Sequence, residues 1–406
     1  MKRFLPLLMI IITTSTALVN AQERRDRAVF EVKKDAMYDS IKMVTQKTAT
    51  GKQAAKVFQV DFSTFNPPAM ADFKSHWHQP PLLQGVSGMC WCFSTTSMLE
   101  SEIYRTSGRK IDLSELHTIY WEYVEKAREF VKSRGTSFLG QGSEANAVLR
   151  IWKKYGAVPA ADYTGLIKGL PFHNHTDLFA EIETYLNSVK AAQAWNEEAV
   201  LNTVRAILDH HIGPPPAKVT VDNAALTPKE YLAKVARINP DDYVDLLSLQ
   251  QQGFYKKVAF PVPDNWWHSD DYYNVPLADF MAVIKKAIRD GYTIEIGGDM
   301  SEPGYSFGAA GMAVVPSFDI PAAFIDDLAR QFRFSNKTTE DDHGLHLVGY
   351  VEKDGHDWYL VKDSWSSAYN SSHPGYYFYH EDYIKLKTLC VTLHKDAARE
   401  VLAKFN

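Results

Sequence analysis

Gln84-Gly85-Val86-Ser87-Gly88-Met89-Cys90-Trp91-Cys92-Phe93-Ser94-Thr95-Thr96-Ser97-Met98-Leu99 runs from a glycine-rich turn directly into a helical pattern. Apolar positions recur at helical spacing as far as Tyr104, with small residues on the other side, so this helix is expected to be buried along most of its length. Its first residue is a cysteine. A thiol transfers acyl groups only as its thiolate, and the unpaired N–H groups and dipole at a helix start favour that anion over the thiol, whose ordinary pKa is about 8.5. Six residues earlier Gln84 stands on the turn, from which its side-chain amide and the Cys90 N–H would converge on an oxyanion. Two positions along a helix turn a side chain by roughly 200°, so Cys92 is expected in the core, away from any cleft.

Far downstream, Asp342-His343-Gly344-Leu345-His346-Leu347-Val348-Gly349-Tyr350 puts a histidine at the entrance to an apolar strand, and Lys362-Asp363-Ser364-Trp365 closes the next one. An imidazole beside Cys90 would stabilise the thiolate as an ion pair, and a third polar group would orient the ring through its other nitrogen. Cys90, His343 and Asp363 are therefore candidates for a triad. His346 lies an odd number of strand positions from His343, so it is expected to point elsewhere.

Around these motifs the chain is ordered helices first, strands later. Leu113-Ser114-Glu115 opens a second helix expected to reach Phe130, and Ser143 to Tyr155 reads as a third, closed by Gly156. The stretch from about 165 to 290 reads as a helix-rich insertion interrupted by Gly213-Pro214-Pro215-Pro216 and by Pro240, Pro261 and Pro263. Strand-like runs follow at Thr293-Ile296, Leu345-Val351, Trp358-Val361 and Tyr376-Tyr379. This order predicts an α+β fold whose halves face each other across a cleft. Trp266-Trp267 and Tyr272-Tyr273 are expected mainly in the core.

The 406 residues carry 44 basic and 49 acidic side chains, with 45% hydrophobic content, which excludes a disordered chain and a strongly basic nucleic-acid binder. Three cysteines, Cys90, Cys92 and Cys390, are too few for a disulfide scaffold or a four-thiolate zinc site. His76, His78 and His210-His211 lack partners at ligand spacing, so neither a metal nor a cofactor is expected. Lys2 and Arg3 precede an apolar run to about Val19, and Val19-Asn20-Ala21 fits a cleavage site, so residues 1–21 are expected to be a signal peptide. Removing Lys2 and Arg3 leaves 42 basic against 49 acidic residues, a formal −7. The expectation is an exported protein, periplasmic or extracellular, without a membrane span. Residues 22–75 form a charge-rich segment with Asn66-Pro67-Pro68 as a breaker, and 76–406 the main domain.

The motifs at Gln84–Trp91, Asp342–Tyr350 and Lys362–Trp365, in that order, resemble the three signatures of papain-like cysteine peptidases. Further stretches are similar to the bleomycin hydrolase and aminopeptidase C branch: Ser87, Leu113-Ser114-Glu115 with Trp121, Lys154-Tyr155-Gly156-Ala157-Val158-Pro159, Gly213-Pro214-Pro215, and Thr227-Pro228-Lys229-Glu230-Tyr231. The resemblance covers roughly residues 75 to 400. It implies a papain-like fold with Cys90 as nucleophile, His343 as general acid and base, Asp363 as orienting group and Gln84 as oxyanion donor. It also implies peptide substrates, lying along Gly142 and Ser143 beside Trp365, which would cover the His343–Asp363 contact. A homo-oligomer is implied as well, since the family forms hexamers.

Three departures from the branch stand out. Asp363 replaces the usual asparagine, which is expected to raise the histidine's basicity, move the acid limb of the activity profile upward and keep the ion pair to higher pH. Ser143 replaces the second of two paired glycines and is expected to narrow a subsite. The chain ends at Asn406, where bleomycin hydrolases continue into a tail lying in their own cleft, so aminopeptidase and endopeptidase action both remain open. Acyl transfer to an amine, and a binding protein with a dead site, are the remaining alternatives.

Overall fold

The computed structural model describes residues 26–45, 56–167 and 169–405. The expected signal peptide lies outside these residues. Helix Cys90–Ser107 is buried on nearly every face, and Gly108 ends it in the left-handed conformation. Trp91, Cys92, Phe93, Met98, Leu99 and Ile103 fill a helical core together with helices Glu115–Lys132 and Ala145–Tyr155. Ser114 caps the second helix by accepting from the His117 N–H at 3.1 Å, as the Leu-Ser-Glu pattern predicts. Helices Thr176–Ala192 and Glu197–Ile212 extend the same core.

The small side of helix Cys90–Ser107 faces a ten-stranded sheet. Along the sheet the strands are Met312–Ala313, Tyr376–His380, His356–Lys362, His343–Lys353, Ile294–Gly298, Thr388–His394, Tyr243–Leu247, Tyr272–Asn274 and Lys256–Val258, with Lys74–Ser75 pairing onto His343–Lys353. Pairing is antiparallel except where Met312–Ala313 meets Tyr376–His380 and where Tyr243–Leu247 meets Tyr272–Asn274. Helix Leu277–Arg289 packs on the sheet through Phe280, Ile284 and Ile288. The α+β expectation is met.

The middle of the chain carries strands as well as helices. It is helical over 176–212, but from Tyr243 onward it supplies three strands to the central sheet. Strand Tyr243–Leu247 pairs with Thr388–His394 in full register from Tyr243–His394 to Leu247–Cys390. A turn at Pro240–Asp242 precedes its Tyr-Val-Asp-Leu-Leu sequence, but a short apolar run does not separate strand from helix by period alone. The described part of the N-terminal segment holds an antiparallel pair of strands, Ala28–Val32 and Lys56–Val60, and a helix Ala36–Thr45. Among the described residues no helix is long and apolar enough to cross a membrane.

Helix and sheet meet most closely at Gly344. A Cβ there would stand 3.0 Å from both Ser94 Oγ and Glu295 Oε1 and 3.2 Å from the Trp91 Cα. Gly344→Val should therefore wedge the two layers apart and cost about 1–3 kcal/mol of stability, the usual scale for overpacking. Urea unfolding of the variant, with an unchanged m-value, is the check; equal midpoints would show that the interface yields freely.

Candidate active site

Cys90 is the first residue of its helix, and the carbonyl of Met89 already accepts from Cys92 and Phe93 at 3.0 and 3.2 Å. The Cys90 N–H therefore belongs to the first turn, where intrahelical acceptors are lacking. The preceding turn is pinned on both sides. Val86 exchanges backbone hydrogen bonds with His173 and His175 at 2.9 and 3.0 Å, and the Gly88 N–H donates to Gln141 Oε1 at 2.9 Å. Gln84 is buried, its backbone N–H donating to the Ser364 carbonyl at 3.0 Å. Ser364 Oγ donates to Gln84 Oε1 at 2.6 Å, which orients the amide, and Nε2 donates one hydrogen to the Ser87 carbonyl at 2.8 Å. The second Nε2 hydrogen is left for another acceptor.

His343 begins strand His343–Lys353, held opposite Gly298. Its Nε2 lies 2.7 Å from Asp363 Oδ1, which leaves Nδ1 for Cys90, the ring's other hydrogen-bonding partner. Asp363 follows strand His356–Lys362. Oδ1 also accepts from the Trp365 N–H at 2.8 Å and Oδ2 from the Tyr305 hydroxyl at 3.2 Å. Burial pulls the imidazole's pKa down, but the Asp363 charge and then the Cys90 charge outweigh it, so His343 is held well above the ordinary histidine value. This is the direction expected from an aspartate at position 363.

The structure thus brings Cys90, His343, Asp363 and Gln84 together. A cavity of about 450 Å³ opens on one side of them, lined by Gln84, Cys90, Gln141, His343, Trp365 and Lys33. Trp365 stacks on Tyr38 of the N-terminal segment, with centroids 5.9 Å apart and planes at 29°. Gly142 and Ser143 line a second, narrower cavity that also reaches Cys90 and His343. A Cβ on Gly142 would come 2.2 Å from Asp264 Oδ2, so a larger residue there would displace the Asp264 carboxylate. Ser143 turns its hydroxyl away, donating to Glu122 Oε1 at 2.7 Å.

Of the remaining candidates, Cys92, His346, Trp266 and Tyr272 lie apart from this centre, whereas Cys390 lies in the wall of the narrow cavity. Cys92 and Cys390 are free and buried, with Cys92 Sγ 3.5 Å from the Glu115 carbonyl. His346 is buried against Ser97 Oγ at 2.8 Å. Trp266 is buried with its indole N–H on Glu122 Oε1 at 2.8 Å, and Tyr272 is in the core. Six contributors were missed by sequence reasoning: Tyr305, which no motif marks; Lys33 and Tyr38, from a segment without recognisable chemistry; and the carboxylates Glu144, Glu295 and Asp341 of the narrow cavity.

The family model described as "Peptidase C1-like family" matches residues 140–406, which include His343 and Asp363. The chain belongs to the Peptidase C1-like family. It is a papain-like cysteine peptidase of the aminopeptidase C branch. It is 22% identical over 364 residues to Aminopeptidase G of Lactobacillus delbrueckii subsp. lactis, covering 77% of this chain and 80% of that protein. It is 21% identical over 368 residues to Aminopeptidase C of Streptococcus thermophilus, with the same two shares. The crystal structure of PepW from Lactobacillus rhamnosis has the same fold, with a TM-score of 0.67 at 18% identity over 82% of this chain and 84% of that one.

In this peptidase an Asp363→Asn change keeps an acceptor for the ring but removes the charge that raises its pKa. Loss of the imidazolium as pH rises ends the ion pair, so the alkaline limb of kcat/KM should move to lower pH by about one unit or more. A pH series of rates, paired with alkylation of Cys90, measures this; superimposed profiles would remove the electrostatic role of Asp363.

Proposed function

We propose that this chain is an exported aminopeptidase that cleaves peptide bonds through a thioester on Cys90. The observation that carries the reading is the position of His343 between Cys90 and a buried Asp363, with the second ring nitrogen committed to the carboxylate at 2.7 Å. The names of the two curated relatives support removal of N-terminal residues. Export rests on the basic and apolar pattern of residues 1–21.

The geometry supports the following steps. An extended peptide lies along Gly142 and Ser143, whose main chain offers the N–H and C=O that a neighbouring strand would. The Cys90 thiolate adds to the scissile carbonyl carbon. The oxygen, now negative, accepts from the Cys90 N–H and the free Gln84 Nε2 hydrogen. Collapse expels the amine, which takes the proton from His343 Nδ1 and leaves the thioester. The neutral ring then removes a proton from water as its oxygen attacks, and the second collapse releases the acid and restores the thiolate–imidazolium pair.

Cys90→Ala should abolish turnover, and Gln84→Ala should lower kcat by about 10²–10³, the scale for one oxyanion donor. Digestion of a mixed peptide library followed by mass analysis reads the mode of action. Stepwise loss of N-terminal residues is expected; internal cuts would replace the aminopeptidase reading by an endopeptidase, and amide products formed with an added amine would replace hydrolysis by acyl transfer. The secreted protein should begin at Gln22, which N-terminal mass analysis checks.

A further inference from the structure

The narrow cavity beside the nucleophile holds about 30 Å³, room for one or two water-sized groups, and is lined by Cys90 and His343 at one end and by Glu144, Glu295, Asp341 and Cys390. Carboxylates crowd it from four parts of the fold: Glu144 before helix Ala145–Tyr155, Asp264, Glu295 on strand Ile294–Gly298, and Asp341 and Asp342 on the approach to His343. Ligand atoms of Glu144, Asp341 and Cys390 all lie within 4.8 Å of one another. Glu144 and Glu295 are 4% and 2% exposed, and each keeps one oxygen, Oε1 and Oε2 respectively, buried with no hydrogen-bond partner. The nearby cations are engaged elsewhere. Lys126 donates to the carbonyls of Gly140 and Gly142, and His343 is held by Asp363 and Cys90.

Buried acceptors without donors are costly, and a converging set of them is matched by a compact group that carries several N–H bonds and a positive charge. We propose that this cavity is a subsite for a primary ammonium group of the substrate, held by Glu144, Asp341 and Glu295. The assignment rests on the peptidase reading above and gives that reading its substrate class: peptides bearing an ammonium next to the scissile bond. An ammonium has donors for both orphan oxygens and for Asp341, which shares a hydrogen bond with Glu144, and it fits the volume, whereas a guanidinium does not. Burial holds Glu144 and Glu295 well above the usual carboxylate range, and burial takes Asp341 to about 7, so the empty cavity resists charging and an entering cation relieves it. A divalent metal fits less well. Burial pushes the Cys390 thiol up, and a metal takes a cysteine as thiolate.

Two sources supply such a group, the α-ammonium of a free N-terminus and the side chain of lysine. The test uses fluorogenic amides of one and two residues with free or acetylated N-termini, and an acetylated pair carrying lysine or norleucine before the cleaved bond. In the wild type the charged member of at least one pair should be favoured by about tenfold or more in kcat/KM, the scale of a hydrogen bond to a charged group. Which pair responds identifies the source. Glu144→Gln, Asp341→Asn and Glu295→Gln should each bring that ratio toward one. Equal rates for charged and neutral members overturn the subsite while leaving the peptidase reading in place, whereas absence of Cys90-dependent turnover on every substrate overturns that reading itself. A second arm needs neither turnover nor a folded variant: n-propylammonium chloride should slow iodoacetamide alkylation of wild-type Cys90 while n-propanol at the same concentration does not, and equal effects of the two overturn the proposal. One equivalent of zinc bound by the wild type and lost in Asp341→Asn would assign the cavity to a metal and overturn it too.

Discussion

A buried carboxylate holds the reacting groups in one frame. Asp363 accepts from the His343 ring, from the Trp365 main chain and from the Tyr305 hydroxyl. A charge cannot be left in the interior without such partners, so the three donors are bound to their places as firmly as the carboxylate is to its own. The consequence reaches across the cleft. The Ser364 hydroxyl, one residue on, fixes the Gln84 amide, and so a single turn after strand His356–Lys362 sets both the base and the oxyanion donor.

The rest of the frame comes from the contact between helix Cys90–Ser107 and the strands His343–Lys353, Ile294–Gly298 and His356–Lys362. That contact is small and polar where the rest of the core is large and apolar. Ser94 donates to Glu295 at 3.0 Å, Ser97 meets His346 and Lys362 at 2.8 Å each, and Gly344 lets the layers touch. Directional bonds at this seam fix the register of helix against strand more sharply than apolar packing would. Cys90 and His343 sit at its end, so their separation inherits that register.

How much of this could be read from the sequence depended on how local each requirement is. Cys90, His343 and Asp363 were legible because each sits at the end of an element, and element ends carry their own signals. Gly156 and Ser114 marked helix limits for the same reason. Tyr305 was not legible, since a tyrosine that donates to Asp363 has no neighbour that says so. Strand Tyr243–Leu247 was hidden because its partner, Thr388–His394, lies about 150 residues further on, and pairing at that distance leaves no trace in either pattern. Glu144, Glu295 and Asp341 look in sequence like ordinary solvated acids; only the fold puts them out of water together.

The segment between Gly213 and Leu277 enters the structure in two different ways. Its first part packs on the helical layer, while its last part completes the edge of the sheet beside Thr388–His394. It is therefore woven through both layers and is not an appended module. Grafting it onto a smaller relative would expose a raw strand edge in the donor and leave the graft without its backbone partners in the recipient.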